Sequence, residues 1–236
     1  MVKMDVQANV FEANDEIAAR LRQEWRRRRT AVINLISSPG SGKTTLLEHT
    51  LARLRSRLRV AVLVGDIQTD NDARRLAPFG FPVRQIVTAG DCHLEAHLVE
   101  RHLQFIETAD LDLLFIENVG NLVCPTDYDL GEDAKVVLLS TTEGEDKPLK
   151  YPAIFHRATV ALLTKTDLLP HLDFDLEAVR RNLRTVHPGV QLFEVSARTG
   201  DGIEPWLDWL FLQVRVKKGS DDTARGGDHH VRGRAG

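Results

Sequence analysis

The sequence of 236 residues contains only two cysteines, Cys92 and Cys124, and few aromatic residues. So few cysteines in a chain of this length argue against a secreted protein held together by disulfides. No apolar run approaches the roughly 20 residues that a membrane span requires. The N-terminus carries acidic residues in place of the apolar core of a signal peptide. The sequence therefore predicts a cytoplasmic protein without a membrane partner.

A strong charge of either sign is also missing. The formal net charge is −3, from 31 basic and 34 acidic residues. A domain that binds nucleic acid through its phosphates usually carries a net basic charge, so the composition gives no indication of a nucleic-acid partner. Apolar residues make up 42% and charged residues 28% of the chain, which is typical of a soluble globular protein.

Short apolar segments recur along the chain, separated by stretches long enough for helices. They are rich in Val, Ile and Leu and mostly continuous, which is typical of parallel strands covered on both faces. This alternation predicts an α/β fold, a three-layer, doubly wound, mostly parallel sheet in one domain over residues 31–216. The predicted strands are 31–36, 59–64, 82–87, 111–116, 135–140, 159–164 and 190–195, and the predicted helices are 43–57, 70–77, 92–108, 175–186 and 203–216.

Two segments flank this predicted domain. Residues 1–30 are predicted to be an N-terminal helical extension, with a helix at 12–29 that ends in the basic stretch EWRRRR. Residues 217–236 contain almost no large apolar side chains. Because such a segment cannot bury enough apolar surface to order itself, it is predicted to be a disordered tail.

The segment SSPGSGKTT follows the first predicted strand and opens the first predicted helix. Backbone N–H groups of such a loop converge on a phosphate, and the helix N-terminus adds partial positive charge. Lys43 is predicted to reach the β- and γ-phosphates, and the Thr44 hydroxyl to bind Mg²⁺. The pattern G-x-x-x-x-G-K-[ST] is kept except for Ser37, which replaces its first glycine. The predicted nucleoside triphosphate site consists of Pro39, Gly40, Ser41, Gly42, Lys43, Thr44 and Thr45.

Carboxylates end two of the predicted strands. Asp66 follows the second strand and Glu117 the fourth, and strand carboxyl ends face the ligand crevice of an open α/β sheet, where carboxylates can hold Mg²⁺. A solvated carboxylate at a strand end is the alternative for either residue. Gly120 takes the place of the glycine in the D-x-x-G element of GTPases, whose amide contacts the γ-phosphate. The predicted catalytic residues are Lys43, Asp66 and Asp72, and the predicted Mg²⁺ ligands are Thr44, Asp66 and Glu117.

The segments TKTD and SAR indicate guanine as the base. The carboxylate of Asp167 offers two acceptors to the ring N–H and exocyclic amine of guanine, a pair of donors that adenine lacks. Lys165 is predicted to lie over the base and ribose, and the backbone of Ser196 and Ala197 to meet the guanine carbonyl. Thr164 stands where many GTPases have asparagine. T-K-x-D alone is weak evidence for a guanine site, but its position after a P-loop and before S-A-R makes the combination strong evidence.

The two cysteines lie in the segments GDCHLEAH and ENVGNLVCP. Cys92 precedes His93 directly, at what is predicted to be the start of a helix. Thiolate and imidazole suit Zn²⁺ and Ni²⁺, and Cys124 follows the Glu117–Gly120 segment that is expected to respond to the γ-phosphate. Two thiols alone are also compatible with a disulfide or with two buried core cysteines.

Together these segments resemble the hydrogenase nickel-incorporation GTPases (HypB) of the SIMIBI class of P-loop proteins. The resemblance rests on SSPGSGKTT, VGDIQTDNDARRL, GDCHLEAH, LFIENVGNLVCP, DLGE and TKTDLLP, and covers essentially all of residues 31–216. It implies a P-loop NTPase fold of the SIMIBI type, slow GTP hydrolysis, and a GTP-dependent homodimer. It also implies transfer of nickel towards the [NiFe]-hydrogenase large subunit with the nickel chaperone HypA, and a Ni²⁺ or Zn²⁺ site at Cys92, His93 and Cys124.

This sequence departs from the family pattern in one respect and leaves alternatives open. Many HypB proteins carry an N-terminal C-x-x-C-G-C motif or a long histidine-rich segment, and this sequence has neither. Three ligands leave a fourth position for water, a donor from a second subunit, or His97. The alternative within the class is a urease-type nickel accessory GTPase, whose motif has proline between cysteine and histidine and no match for Cys124. A metal-storage protein would not need the P-loop, and a small-molecule kinase would not need T-K-x-D followed by S-A-R.

Overall fold

Seven parallel strands form the central sheet of the computed structural model, which describes residues 2–219 and, for side chains, residues 10–219. They are β1 (Ala31–Ser37), β2 (Val60–Asp66), β3 (Val83–Val87), β4 (Leu113–Glu117), β5 (Ala134–Ser140), β6 (Val160–Thr164) and β7 (Gln191–Glu194). The strand order is β3-β2-β4-β1-β5-β6-β7, with every pairing parallel. The predicted fold class is confirmed, and each predicted strand overlaps an observed one.

Helices cover both faces of this sheet. Among the described residues they are α1 (Val2–Arg28), α2 (Lys43–Leu54), α3 (Asn71–Leu76), α4 (Ala96–Leu103), α5 (Lys147–Lys150), α6 (Pro152–Arg157), α7 (Leu176–Val186) and α8 (Ile203–Gly219). Short 3₁₀ helices occupy Ala77–Phe79, Cys124–Thr126 and Thr166–His171. Within residues 2–219, none of the helices has the combination of length and apolar character needed to cross a membrane.

The central strand explains why the strands appear as continuous apolar runs in the sequence. All seven residues of β1 are buried. Ile33 and Leu35 face one side and pack in a cluster with residues of α2 and α8. Val32 faces the other side and packs with α1, including Trp25, and with α4. Successive strand residues point to opposite faces, so two covered faces favour apolar residues along the whole strand, and in β1 only Asn34 and Ser37 are polar.

One helix boundary differs from the prediction at a place that matters for function. The helix predicted at 92–108 begins at Ala96, so the prediction that Cys92 opens a helix is wrong. The preceding loop turns at Ala89 and Gly90, which have φ of 56° and 119°. Leu94 is fully buried, and its N–H is bonded to a side chain of another segment at 3.2 Å. These tertiary contacts hold the residues before Ala96 out of the helix.

Both ends of the domain also differ from the predicted limits. α1 reaches back to Val2, whereas the sequence predicts a helix at 12–29. α8 continues to Gly219, into the segment 217–236 that is predicted to be disordered. The remainder of that segment lies outside the described residues.

Candidate functional site

The loop between β1 and α2 forms one end of the candidate site. Gly40 and Gly42 have φ of 74° and 95°, a left-handed backbone that glycine adopts without strain. Lys43 is buried, and its Nζ donates a 2.8 Å hydrogen bond to Ser37 Oγ. Burial lowers the pKa of Lys43, whereas the charge of Glu117 raises it. Ser37, the residue that departs from the P-loop pattern, therefore gives the lysine a hydrogen-bond partner.

Thr44 and Glu117 meet at the start of α2. Thr44 Oγ1 donates a 2.7 Å hydrogen bond to Glu117 Oε1, while Glu117 Oε2 is buried without a hydrogen-bond partner. Burial raises the pKa of Glu117 to about 7, although the charge of Lys43 lowers it. An unpartnered carboxylate oxygen beside a threonine hydroxyl fits a hard cation such as Mg²⁺, which prefers oxygen ligands.

Asp66 and Asp72 line the same cleft, which has a volume of about 500 Å³. Asp66 Oδ1 accepts hydrogen bonds from the N–H groups of Gln68 and Thr69, at 2.9 and 2.6 Å. Burial alone would raise the pKa of Asp66, but these hydrogen bonds lower it overall. The predicted residues that line this cleft are Pro39, Gly40, Gly42, Lys43, Thr44, Thr45, Asp66, Asp72, Glu117, Gly120 and Lys165.

Gly120 brings the segment after β4 against the phosphate loop. A Cβ atom at this position would lie 3.1 to 3.2 Å from atoms of Pro39. Any larger residue would push the two segments apart, because contacts this short are rarely tolerated. The close approach supports the predicted role of the Gly120 amide beside the phosphate loop.

Two charged residues of this end were missed by the sequence prediction. Arg75 of α3 lines the cleft, and its Nη2 donates to Thr45 Oγ1 at 2.9 Å. It lies one helical turn after Asp72, a spacing that could have indicated it. Glu143, in the loop after β5, accepts a 2.9 Å hydrogen bond from Ser41 Oγ. Glu143 belongs to no sequence motif, because it supports the phosphate loop from a distant part of the chain.

A second cavity, of about 240 Å³, adjoins the phosphate cleft. Asp167 and Ala197 line it, and Lys165 lines both cavities. Ser196 is fully buried, and its Oγ donates a 2.7 Å hydrogen bond to Asp167 Oδ1. This bond fixes the orientation of the Asp167 carboxylate. The segments TKTD and SAR therefore meet at one cavity, as a guanine site requires.

Thr164, the residue in place of the more common asparagine, lines the second cavity and bonds to the phosphate loop. Its Oγ1 donates a 2.6 Å hydrogen bond to the carbonyl of Ser41 in the phosphate loop. Thr164 also ends β6, directly before the left-handed Lys165 with φ of 59°. The threonine therefore fixes the base loop relative to the phosphate loop.

Cys92, His93 and Cys124 come together although 32 positions separate the two cysteines. The cysteine Cα atoms are 6.1 Å apart, and the two sulfurs are joined as a disulfide. One donor atom from each of the three residues lies within 4.8 Å of the others. A cysteine ligates metal as its thiolate, so a disulfide between Cys92 and Cys124 and a metal ion bound by both sulfurs exclude each other. In the reduced chain, two thiolates and an imidazole are donors that suit Zn²⁺ and Ni²⁺.

The surroundings of His93 fit a ligand role. Its Nδ1 faces Cys92 Sγ at 3.9 Å, and its buried Nε2 has no hydrogen-bond partner, although Glu95 Oε1 lies 3.5 Å away. Its ring stacks on Tyr128, with centroids 3.8 Å apart. His97 lies outside the group, because its side chain is 54% exposed and its Nδ1 is 3.1 Å from Glu95 Oε2.

A phosphate loop and a TKTD loop at the carboxyl edge of this parallel sheet define a P-loop GTPase. The fold is shared with the signal recognition particle 54 kDa protein of Aeropyrum pernix K1, which is 15% identical, with a TM-score of 0.55 over 83% of this chain and 52% of that one. The chain belongs to the HypB branch of the CobW/HypB/UreG family, whose nucleotide-binding domain matches residues 31–194.

Individual relatives confirm the resemblance seen in the sequence. The hydrogenase maturation factor HypB of Azotobacter chroococcum mcd 1 is 51% identical over 210 residues, 89% of this chain and 69% of the relative. The hydrogenase/urease maturation factor HypB of Helicobacter hepaticus is 41% identical over 211 residues, 88% of this chain and 86% of the relative. The crystal structure of HypB from Helicobacter pylori in complex with nickel is 34% identical, with a TM-score of 0.82 over 92% of this chain and 100% of that one.

Proposed function

We propose that this protein is a GTP-hydrolysing nickel metallochaperone that assists nickel insertion into the [NiFe]-hydrogenase large subunit. One observation carries the proposal. The segment that begins at Glu117, beside Thr44, ends at Cys124, beside Cys92. GTP and nickel would therefore act on the two ends of one short segment. The relatives named as hydrogenase maturation factors, and the nickel in the Helicobacter pylori structure, support nickel as the cargo.

GTP would bind along the two adjoining cavities, with its phosphates at Lys43 and its base at Asp167. Mg²⁺ would be held by Thr44, Asp66 and Glu117. Lys43 would neutralise charge on the phosphates. Asp66 and Asp72 would arrange the metal and the attacking water, and hydrolysis would yield GDP and phosphate. Stabilisation of phosphate charge is the main task of a protein in this reaction. The remaining members of the nucleotide site would be Pro39, Gly40, Ser41, Gly42, Thr45, Gly120, Lys165, Ser196 and Ala197.

The reduced Cys92 and Cys124, with His93, would bind the cargo ion, Ni²⁺ or Zn²⁺. Two loops carry these ligands, and a loop can move when nucleotide changes. A GTP-dependent homodimer would bring two such groups together, and HypA and the hydrogenase large subunit would be the partners in a cytoplasmic process. Relatives that are named as hydrogenase maturation factors support a hydrogenase subunit as the target.

Asp167→Asn should shift the preference of the protein from GTP towards xanthosine triphosphate. Asparagine has one acceptor and one donor, which suits the carbonyl that xanthine carries in place of the guanine amine. Competition binding with both nucleotides measures the shift. Unchanged tight GTP binding in the variant would contradict the assignment of the base cavity.

The maturation role can be tested in Escherichia coli cells that lack their own HypB relative, which is 48% identical to this protein. The wild-type chain should restore hydrogenase activity at low nickel, and the Cys124→Ala variant should not. Excess nickel should reduce the need for either protein, because the ion then reaches its target without delivery.

The urease-type alternative predicts a different result. A urease operon expressed in the same cells without its own accessory GTPase would be activated by this chain, while hydrogenase activity would stay low. The direct Cys92–His93 pair, without an intervening proline, and the presence of Cys124 favour the hydrogenase outcome. Restoration of urease alone would overturn the proposed function.

A further inference from the structure

We propose that α1 holds the metal-binding group in place through Asn14, which links the two chain segments that carry the cysteines. The inference rests on the proposed metal function, and it makes Asn14 a positioning residue. Neither the phosphate loop nor the base loop contains it. The inference gives the N-terminal helix a role that its sequence does not show, because the helix carries no motif and is basic only in its last turn.

Asn14 joins two distant segments through a single side chain. It is only 4% exposed. Its Oδ1 accepts a 2.8 Å hydrogen bond from the N–H of Ala96, and its Nδ2 donates a 2.9 Å hydrogen bond to the carbonyl of Asp129. Ala96 closely follows Cys92, and Asp129 closely follows Cys124. Because one amide group supplies both the acceptor and the donor, Asn14 sets the separation of the two segments.

The DLGE segment, residues 129–132, is shaped to receive α1. Arg22 makes two 2.6 Å hydrogen bonds to the carboxylate of Asp129. A Cβ on Gly131 would lie 2.8 Å from Leu21 Cβ and 2.9 Å from the carbonyl oxygen of Ala18, so only glycine allows α1 to approach this closely. A motif of the family resemblance that has no part in nucleotide binding therefore serves as the docking surface of α1.

An aromatic contact extends the same support to the imidazole. Phe11 of α1 packs on Tyr128, with ring centroids 5.1 Å apart. Tyr128 in turn stacks on His93 at 3.8 Å. The side chain of His93 is 13% exposed, so its ring has little freedom once this stack is formed. Each of the two segments that supply the ligands is thus in contact with α1, directly or through one residue.

This arrangement matters because the ligands lie in loops. Cys92 and His93 precede α4, and Cys124 begins a short 3₁₀ helix. Ordering such segments costs conformational entropy, so a group that holds them ready in advance strengthens binding of the ion. Groups that hydrogen-bond to metal ligands typically contribute 10- to 100-fold in metal affinity, and Asn14 acts one step further away, through the backbone of Ala96 and Asp129. Asn14 is placed to make such a contribution.

The test is Asn14→Ala in the full-length, reduced protein. We expect Ni²⁺ affinity, measured by equilibrium dialysis, to fall about 10-fold or more, and the thiolate-to-nickel charge-transfer absorption to change. Affinity for a fluorescent GTP analogue should stay at the wild-type level. Asn182→Ala is the matched control, because it also removes a 2.9 Å hydrogen bond from an asparagine side chain to a distant carbonyl, that of Glu145. It should leave both affinities unchanged.

Two results would overturn the inference. The first is a folded Asn14→Ala variant whose Ni²⁺ affinity and charge-transfer absorption equal those of the wild type. The other is an equal loss of nickel and GTP affinity, which would show that Asn14 only supports the fold.

If circular dichroism shows that Asn14→Ala does not fold, the Phe11→Leu variant tests the inference in its place. This substitution removes only the ring that supports Tyr128. Weaker nickel binding in Phe11→Leu supports the inference, and unchanged binding overturns it.

Failure of the proposed function gives a distinct result. In that case the wild-type protein itself would not bind Ni²⁺ when reduced, or Cys124→Ala would bind it as tightly as wild type does. The Asn14 inference fails alone when wild type binds nickel through its cysteines and Asn14→Ala binds it equally well.

Discussion

Lys43→Ala should abolish GTP hydrolysis and leave the fold intact. We expect the wild-type protein to turn over at about 10⁻⁴ to 10⁻² s⁻¹, as unassisted GTPases do. Turnover in the variant should be lower than this by roughly 10²-fold or more, the usual effect of removing one group that stabilises transition-state charge. The side chain is buried, and burial lowers its pKa, so its charge does not serve the stability of the core. Phosphate release under single-turnover conditions measures the effect.

Lys218→Ala is the control for this variant. Lys218 lies in the last turn of α8 and pairs with Asp112, which precedes β4 at the opposite end of the strands from the phosphate loop. Its loss should leave turnover unchanged. Wild-type turnover in folded Lys43→Ala would remove the P-loop assignment. A wild-type rate of tens per second without any partner would contradict a slow nucleotide switch.

Cys92→Ala and Cys124→Ala should each remove most Ni²⁺ and Zn²⁺ binding while sparing GTP binding. The reduced wild-type chain should bind about one ion, and losing one of three ligands leaves too few donors. Thiols must lose their protons to bind metal, so affinity should decrease as the pH falls. Equilibrium dialysis across a pH series, with GDP or a non-hydrolysable GTP analogue present, measures both effects.

The oxidised chain is the internal control for the same experiment. Its Cys92–Cys124 disulfide occupies both sulfurs, so it should bind no ion at that group and should regain binding after reduction. Equal metal binding by oxidised and reduced protein, or unchanged stoichiometry in both cysteine variants, would place the metal elsewhere.

Asn118 provides a physical route by which nucleotide could alter that affinity. It follows Glu117 directly, is 1% exposed, and accepts a 3.2 Å hydrogen bond from the N–H of Leu94, beside His93. A shift of Glu117 upon binding Mg²⁺ would therefore move the loop that holds the imidazole. Linkage then requires that metal change nucleotide affinity by the same factor.

The sheet could be predicted from the sequence because strands buried on two faces are apolar at most positions. β7 is the least apolar strand and was still located, since VQLFEV carries enough large side chains. The phosphate and base loops were recognised for a related reason. Their chemistry depends on residues close together in the sequence, such as Lys43 with Thr44 and Lys165 with Asp167.

The parts that could not be predicted depend on contacts between distant residues. The start of α4 at Ala96 is set by a hydrogen bond from Leu94 to Asn118, and no local pattern shows it. Asn14 looks like any polar residue on a helix, since its partners are 82 and 115 positions away. α5 and α6 were missed because both are short and each contains proline in its first turn.

The sequence separation between α1 and its docking surface has a consequence for the nascent chain. α1 leaves the ribosome before its docking surface does, because Asp129 lies 115 positions after Asn14. At a translation rate of about 5 to 20 residues per second, Asp129 is synthesised on the order of 6 to 23 s after Asn14. Cys124 is likewise made after the phosphate loop and Glu117. If Cys124 binds the ion as proposed, the order of translation would postpone metal capture until the phosphate loop and Glu117 have been synthesised.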